Sequence, residues 1–250
     1  MTIRIETALI DAKIATPCLV LDREQIAKNY RNFCYKMDEI DIFYAVKANP
    51  HPDVLSLLAA EGAYFDCASF QEITLVLAAG GRPSNICFGS TLKKTTDIAD
   101  AYKVGVRSFT FDAREELQKI ADHAPGSNVC CRILTNDSGT GAQWPLSRKF
   151  GCDENMAVDL MSEAGKLGLI ASGISFHVGS QQTEPTAWQA PIAQVSRIFR
   201  QLTDLGMALD TINLGGGFPT TFGNNAVPDI SIYANIIKAA LNIHFGDKMP

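Results

Sequence analysis

The stretch that decides the fold lies between residues 42 and 50 and reads Ile42-Phe43-Tyr44-Ala45-Val46-Lys47-Ala48-Asn49-Pro50. Its apolar part shows no polar alternation and is too short for a core helix, so it predicts a fully buried β-strand at 42–47. The strand ends in a lysine, which either extends to place its ammonium group in water or is held in a pocket for chemistry. Taken alone, the stretch favours the lysine that extends to water.

The same kind of short apolar run returns along the rest of the chain. Such runs alternate with amphipathic helical segments, a pattern that requires a parallel sheet with right-handed crossovers. After a short strand at 18–22 and a helix at 23–37, the predicted strands lie at 42–47, 64–69, 85–89, 108–112, 129–134, 173–178 and 211–214. The predicted helices lie at 52–61, 70–79, 96–104, 114–123, 155–167, 186–205 and 230–244.

Two α/β architectures compete for this pattern, an open doubly wound sheet and a closed (β/α)8 barrel of the TIM type. The glycine run Gly215-Gly216-Gly217 comes late in the chain rather than in the first βα turn, which disfavours a dinucleotide fold. Polar residues at the predicted carboxyl ends of the strands suit a barrel, whose active site is built there. We therefore expect a TIM-type barrel of seven βα units, with the eighth strand absent from these residues.

The composition narrows the class of protein. The 250 residues are 46% hydrophobic and 20% charged, and the net charge of −5 comes without a basic cluster, which argues against a nucleic-acid partner. No apolar run is long enough to span a bilayer, so we expect a cytoplasmic protein without membrane contact. The seven cysteines form no CxxC pair, and we expect buried thiols with neither disulfides nor a metal site.

Several side chains near the predicted strand ends have both a chemical and a structural explanation. Asp66 places a carboxylate near the end of the second strand. Ser69 and Glu72 match a capping box, and for Ser69 we favour that structural explanation. Arg132 lies in an apolar run, where an unpaired guanidinium is costly to bury, so it faces a polar barrel mouth or meets a carboxylate.

The last two strands end in a histidine and in the glycine run. A lone histidine such as His177 is usually a satisfied core residue, and no other histidine has metal-ligand spacing to it. The three glycines form either a tight turn or an anion nest of successive backbone N–H groups. Together, a lysine, an acid, an arginine, a flat imidazole and a phosphate cradle indicate a cofactor that is attached through lysine and carries a phosphate, which is pyridoxal 5′-phosphate (PLP).

At residues 43–49, 65–69, 176–181 and 214–219 the sequence resembles the PLP-dependent decarboxylases with an alanine-racemase-like barrel, known as fold type III. The likeness runs from about Thr16 to the end of the chain. It is greater to the ornithine/lysine branch than to the diaminopimelate or arginine decarboxylases, and residues 144–151 strengthen that assignment.

The resemblance implies a role for each residue of the site. Lys47 would hold the cofactor covalently, with Asp66 and Glu72 close to it and Arg132 near the cofactor ring. His177 would stack on the ring face. The phosphate would be held by Ser180 and by the backbone amides of Gly215, Gly216 and Gly217. Lys149 lies in what resembles the family's mobile loop near the active-site mouth.

The resemblance also implies a domain organisation. Residues 1–20 would pack against a C-terminal β-domain that these 250 residues do not contain, and residues 21–250 would form the PLP-binding barrel domain. The family's Glu-Pro-Gly-Arg element on the eighth strand would begin after Pro250. We therefore expect a homodimer for the full-length protein and little activity from residues 1–250 alone.

The implied function is decarboxylation of a basic amino acid, with L-ornithine to putrescine in polyamine biosynthesis as the first choice. Lysine and diaminopimelate stay open as substrates. A non-catalytic relative of the antizyme-inhibitor type, which keeps the fold and binds partners, is the alternative from a different class.

Overall fold

The computed structural model describes residues 7, 9–15, 17–135, 141–144, 149–221, 226–246 and 249. From Arg23 onwards the α-helices are α1 (Arg23–Lys36), α2 (Pro52–Ala60), α3 (Phe70–Ala78), α4 (Thr95–Lys103), α5 (Arg114–His123), α6 (Glu154–Lys166), α7 (Gln189–Asp204) and α8 (Ile230–Phe245). The strands are β1 (Phe43–Ala45), β2 (Tyr64–Cys67), β3 (Ile86–Phe88), β4 (Ser108–Phe111), β5 (Asn128–Arg132), β6 (Ala142–Trp144), β7 (Ile170–Ser175), β8 (Ser180–Gln182) and β9 (Thr211–Asn213).

Seven of the strands form one curled parallel sheet in the order β1-β2-β3-β4-β5-β7-β9. Its strands follow the order of the chain, whereas a doubly wound sheet reverses direction at a switch point. The winding is therefore that of a TIM-type barrel, and the predicted fold class is confirmed. Strands β1 and β9 are the two outer strands of this open sheet.

The two faces of the sheet carry different chemistry because successive side chains along a strand point to opposite faces. On the helix side, Phe65, Phe109 and Cys131 are fully buried in one continuous apolar core. On the inner side, Asp66 pairs with Cys87 in the register of β2 and β3. Cys87 Sγ lies 3.7 Å from Thr110 Oγ1, so the barrel interior is polar just below the carboxyl ends of the strands.

Strand β7 contains one residue more than its partner β5. Val129 pairs with Ala171 and Cys130 with Gly173, which leaves Ser172 unpaired as a β-bulge. The Ser172 hydroxyl donates a hydrogen bond to the Val129 carbonyl at 3.0 Å and holds the bulge against β5.

The helix boundaries agree closely with the sequence predictions, and capping residues mark the first turn of four helices. Asp22, Ser69, Asp153 and Asp229 each accept a backbone N–H at the start of a helix. The predicted helix at 186–205 instead begins as a 3₁₀ turn, Pro185–Trp188, before α7 continues it.

Three strand predictions are corrected by the structure. The strand predicted at 173–178 is β7, Ile170–Ser175, which ends before His177. The strand predicted as fully buried at 42–47 is the three-residue β1, and Phe43 is 45% exposed because β1 lies at the edge of the sheet. Lys47 follows that strand inside a 3₁₀ turn, Val46–Ala48. Residues 18–22 form no strand, and Leu19 is 87% exposed, since no neighbouring strand pairs with them within the described residues.

A second, two-stranded sheet was not predicted. Strand β6 pairs antiparallel with β8, and Trp144 lies opposite Ser180. Both strands are three residues long and lack the apolar run on which the sequence analysis relied.

Of the motif at 144–151, residues 145–148 lie outside the described residues, as do residues 1–6, 8 and 16 of the proposed N-terminal segment.

Among the described residues, no helix combines the length and apolarity needed to cross a bilayer, and no three potential metal ligands cluster. The cysteines are free thiols, of which Cys18 is exposed, Cys34 is partly exposed, and five are buried: Cys67, Cys87, Cys130, Cys131 and Cys152.

Candidate active site

The sheet brings four of the predicted site residues to one edge. Lys47 follows β1, Asp66 lies near the end of β2, Arg132 is the last residue of β5 and His177 follows β7 by two residues. The carboxyl ends of parallel strands meet on one side of a barrel, so these side chains surround one opening. Lys47 is exposed, whereas the other three are at least partly buried.

Asp66 interacts electrostatically with the charged groups on both sides of it. Burial raises the pKa of the Asp66 carboxyl. The positive charge of Lys47 acts in the opposite direction, Glu72 adds to the increase, and Arg132 again opposes it. The charges of Lys47, Glu72 and Arg132 therefore all act on the buried Asp66 carboxyl.

His177 is held as a neutral imidazole. Its Nδ1 accepts a hydrogen bond from the Gly179 N–H at 2.9 Å, so the neutral ring carries its proton on Nε2. Burial lowers the pKa of His177, and the positive charges of Arg132 and Lys47 act in the same direction, so that together they bring it to about 4. The ring is therefore uncharged at neutral pH, with a fixed orientation.

Arg132 is kept charged by carboxylates. Burial lowers the pKa of its guanidinium, and the negative charges of Asp112 and Asp66 oppose that shift. The Arg132 Cζ atom also lies 5.4 Å from the centre of the Phe150 ring, within reach of a cation–π contact. Asp112 in turn accepts the Gly151 N–H at 2.7 Å.

The glycine run lies directly against the chain that follows β7. Gly215 and Gly217 have φ values of +67° and +107°, which favour glycine. A Cβ atom at Gly215 would collide with the Phe176 carbonyl oxygen, and one at Gly217 with the Gly179 carbonyl oxygen. The turn therefore requires glycine at both positions, because the neighbouring carbonyl oxygens lie too close to leave room for a Cβ atom.

The N–H groups of the three glycines are not equivalent. The Gly215 N–H donates to the Asn213 side-chain oxygen at 2.9 Å, which narrows the set of amides expected to hold phosphate. Within the described residues, the N–H groups of Gly216 and Gly217 meet no protein acceptor. A Cβ atom added to Gly216 would lie 3.7 Å from His177 Nε2, so this open cradle adjoins the imidazole. Free amides beside a flat neutral ring fit a phosphorylated aromatic cofactor such as PLP.

Aromatic side chains support the turn from behind. The Trp188 Nε1–H donates to the Leu214 carbonyl at 3.2 Å, and the Trp188 and Phe218 rings stack at 4.8 Å. The Tyr233 hydroxyl donates to the Gln182 carbonyl at 2.9 Å. The Trp188 contacts join the segment before α7 to the turn that follows β9, and the Tyr233 hydrogen bond joins α8 to β8.

The other residues named in the sequence analysis are Ser69, Glu72, Ser180 and Lys149. The Glu72 N–H donates to Ser69 Oγ at 3.2 Å, as a cap requires, and Glu72 Oε2 accepts the Ala68 N–H at 2.6 Å. The capping interpretation of Ser69 is therefore confirmed, and Glu72 also has a structural task beside its influence on Asp66. Ser180 begins β8, and Lys149 is exposed.

Three supporting residues were missed by the sequence analysis. Asn213 orients the Gly215 amide, Asp112 faces Arg132, and a Cβ atom at Gly89 would collide with the Asp66 carboxylate. Only Asn213 had a readable signal, because asparagine two residues before a glycine turn often accepts a backbone N–H. The other two act across the sheet, where sequence spacing carries no information.

The comparisons with known proteins agree with this geometry. Residues 23–250 match the family described as pyridoxal-dependent decarboxylase, pyridoxal binding domain. The chain is 33% identical over 242 residues to the lysine/ornithine decarboxylase of Selenomonas ruminantium, covering 97% of this chain and 61% of that protein. It is 37% identical over 233 residues to the chloroplastic ornithine decarboxylase of Nicotiana glutinosa, covering 93% of this chain and 52% of that protein.

Solved structures give the same result. A variant of SrLDC, solved in complex with PLP, superimposes with a TM-score of 0.92 at 32% identity, over 99% of this chain and 64% of the other. Antizyme inhibitor 2 of Xenopus laevis is 34% identical over 226 residues, covering 90% of this chain and 49% of that protein. The chain thus spans between about half and two thirds of the length of these relatives.

The fold, the cradle and the sequence match define the class: the chain belongs to the pyridoxal-dependent decarboxylases and contains their pyridoxal-binding domain. The cofactor of the family is PLP, and the neutral imidazole and free amides of this chain fit it. Relatives that match the chain are named lysine/ornithine decarboxylase, ornithine decarboxylase and antizyme inhibitor 2.

Proposed function

We propose that the protein decarboxylates L-ornithine to putrescine, and that these residues supply its PLP-binding barrel. The observation that carries the proposal is the arrangement of Lys47, Asp66, Arg132 and His177 around one opening, next to the cradle at Gly216. The relatives named ornithine decarboxylase support ornithine as the substrate. In this proposal the complete protein is a cytoplasmic homodimer that serves polyamine biosynthesis.

Each residue has a role in the proposal that follows from its surroundings. Lys47 would bind the cofactor covalently through its exposed amine. Asp66 would lie beside that amine either as a carboxylate or as a protonated carboxyl group, since burial raises the pKa of Asp66. The neutral His177 ring would lie flat against the cofactor ring without adding positive charge, and Arg132 would remain a fixed cation at the mouth.

The phosphate would be held by the remaining groups. The free amides of Gly216 and Gly217, together with the Ser180 hydroxyl, would bind it through hydrogen bonds, while the Gly215 amide stays with Asn213. Bound PLP supplies the electron-withdrawing ring that allows carbon dioxide to leave the α-carbon of an amino acid. The chain contributes orientation and a fixed electrostatic field.

The lysine assignment can be tested by trapping. The chain is incubated with PLP, reduced with borohydride and digested, and the labelled peptide is located by mass spectrometry. We expect the label on Lys47. Lys94 and Lys149 are exposed lysines in the same protein and serve as internal controls. Label on either of them, with none on Lys47, would contradict the assignment.

A non-catalytic role remains the second candidate because antizyme inhibitor 2 is as similar to the chain as several of the decarboxylases. The trapping experiment separates the two, since a relative that only binds partners has no need of a covalently held cofactor. Release of carbon dioxide from carboxyl-labelled ornithine, lysine, arginine and diaminopimelate by the complete protein then decides the substrate. Preference for any of the other three would overturn ornithine while leaving the class intact.

A further inference from the structure

We propose that Gln181 is a positioning residue for the phosphate cradle, and that its side-chain amide fixes the turn after β9 and so sets the phosphate-dependent part of PLP binding. The inference rests on the proposed function, since it concerns the same site. The Gln181 side chain takes no part in the helix caps or in the charged interactions described above.

The backbone at Gln181 is unusual for a residue with a long side chain. Its φ is +52°, in the left-handed region that favours glycine, although it is the central residue of the short strand β8. Strained conformations of this kind persist where the surrounding structure requires them, and they concentrate at functional sites. A glycine would relieve the strain at Gln181, so the reason for a glutamine is expected in what its side chain contacts.

The side chain makes a matched pair of hydrogen bonds with the turn. The Gln181 Nε2 group donates to the Thr220 carbonyl at 2.9 Å, and Gln181 Oε1 accepts the Thr220 N–H at 2.9 Å. A primary amide paired with both groups of one residue mimics a rung of a β-ladder. A carboxylate at position 181 could only accept hydrogen bonds and would reproduce one half of this pair.

The next residue adds a second connection. The Gln182 N–H donates to the Gly217 carbonyl at 2.8 Å. Two consecutive residues of β8 therefore hold the turn at Gly217 and at Thr220, and Ser180 immediately precedes them. The hydrogen bonds between β8 and the turn therefore set the distance from the Ser180 hydroxyl to the free amides of Gly216 and Gly217. That separation decides whether all three groups can reach one phosphate.

The critical variant is Gln181→Gly, because it removes the paired hydrogen bonds and also the backbone strain. Gln181→Asn is the second variant, since asparagine tolerates a left-handed backbone but its amide is one methylene shorter. Glu39→Gly is the matched control: Glu39 also has a left-handed φ of 70° but lies between α1 and β1, away from the turn.

The measurement is the dissociation constant for PLP and for pyridoxal, which keeps the aldehyde but lacks the phosphate. The binding of each compound to the protein is followed by the change in absorbance. The thermal midpoint of each variant is measured as well. For Gln181→Gly and Gln181→Asn we expect PLP affinity to fall about tenfold, equivalent to ~1.4 kcal/mol, and pyridoxal affinity to stay within about twofold. The thermal midpoint of Gln181→Gly should change little, because the relief of backbone strain offsets the loss of the two hydrogen bonds.

The outcomes separate this inference from the proposed function. If the unmodified chain binds PLP no better than pyridoxal, the phosphate cradle fails and this inference fails with it. If the unmodified chain prefers PLP and both Gln181 variants keep the full preference, only the role of Gln181 is overturned. An equal loss of affinity for both compounds would show a general structural role, and would also refute positioning of the phosphate.

Discussion

Two lysines near the carboxyl ends of strands in the same sheet illustrate opposite uses of one side chain. Lys93 follows β3, is 5% exposed, and donates to the Ser90 and Thr110 carbonyls at 2.8 and 2.6 Å. Its Nζ also lies 3.0 Å from the buried Glu116 carboxylate. Lys47 follows β1 and is exposed, and no hydrogen bond or ion pair of its amine is found within the described residues.

The difference shows how the fold separates a structural lysine from one available for chemistry. The Lys93 ammonium donates two hydrogen bonds and forms an ion pair with Glu116, whose second oxygen lies 2.6 Å from Lys119 Nζ, so this buried amine is held by tight partners. Lys47 interacts electrostatically with Asp66 and His177 without being bound to one acceptor among the described residues. An amine has to be free of tight partners to react with a carbonyl compound.

The largest effect is expected from breaking the buried cluster. Lys93→Met should lower the free energy of unfolding by about 3–5 kcal/mol, because it leaves Glu116 buried beside a single remaining cation. The matched change Lys47→Met should stay within about 0.5 kcal/mol, as expected for an exposed residue. Urea unfolding of both variants measures the difference. Equal costs would show that the two lysines are not distinguished by burial as described.

His177 gives the next largest effect and connects stability to pH. The pKa of His177 is lowered to about 4 in the folded chain. Below about pH 6.5 the imidazole therefore binds a proton in the unfolded chain, whereas in the folded chain it does so only as the pH approaches 4. This contribution to stability is therefore fully present above about pH 6.5 and is lost as the pH falls towards 4. His177→Asn should reduce the loss of unfolding free energy between pH 7 and pH 4.5 by about 2 kcal/mol. Identical slopes for both proteins would contradict the buried neutral imidazole.

Gly216→Val tests the open side of the site, where the effect should fall on binding rather than on folding. A Cβ atom there meets only His177 Nε2, at an ordinary 3.7 Å, so the chain should tolerate it. The added methyl groups would fill the cradle, and PLP affinity should fall by about tenfold or more. Arg200→Ala on α7 is the control and should retain the cofactor normally. If the two variants retain PLP equally, the cradle interpretation is wrong.

The smallest effect is expected at the helix cap beside Asp66. Ser69→Ala removes the acceptor of the Glu72 N–H and should cost about 1 kcal/mol of unfolding free energy. PLP affinity should change little, since Glu72 keeps its contact with the Ala68 N–H. A variant of normal stability that binds PLP poorly would assign Ser69 to the site instead of the cap.

Much of the fold could be predicted from the sequence because its signals are local. Apolar runs located the seven parallel strands, and helical patterns placed helix starts to within a residue at α1, α3, α6 and α8. The edge position of β1 could not be read in this way. A run of apolar residues predicts burial, but exposure of Phe43 depends on how many strands lie beside it.

The site was predictable to the extent that its residues fall at strand ends. The pattern placed Lys47, Asp66, Arg132 and His177 at one edge, and the structure has them there. It did not reveal that Asn213 occupies one of the three glycine amides, or that Gln181 pairs with Thr220. These contacts depend on which loops face each other after folding, and a single sequence contains no direct record of that.

The extra residue in β7 has a consequence for which side chain faces the cofactor space. Side chains alternate along a strand, so the unpaired Ser172 shifts the phase of everything after it by one step. With the bulge, the residues that share the inner face with Arg132 are Ser175 and His177, and Phe176 packs into the apolar core. Without it, the alternation would exchange inside and outside. Phe176 would then face the opening, and the imidazole would be buried among helices. The chemistry at the mouth of this barrel thus depends on a count of residues in the strand below it.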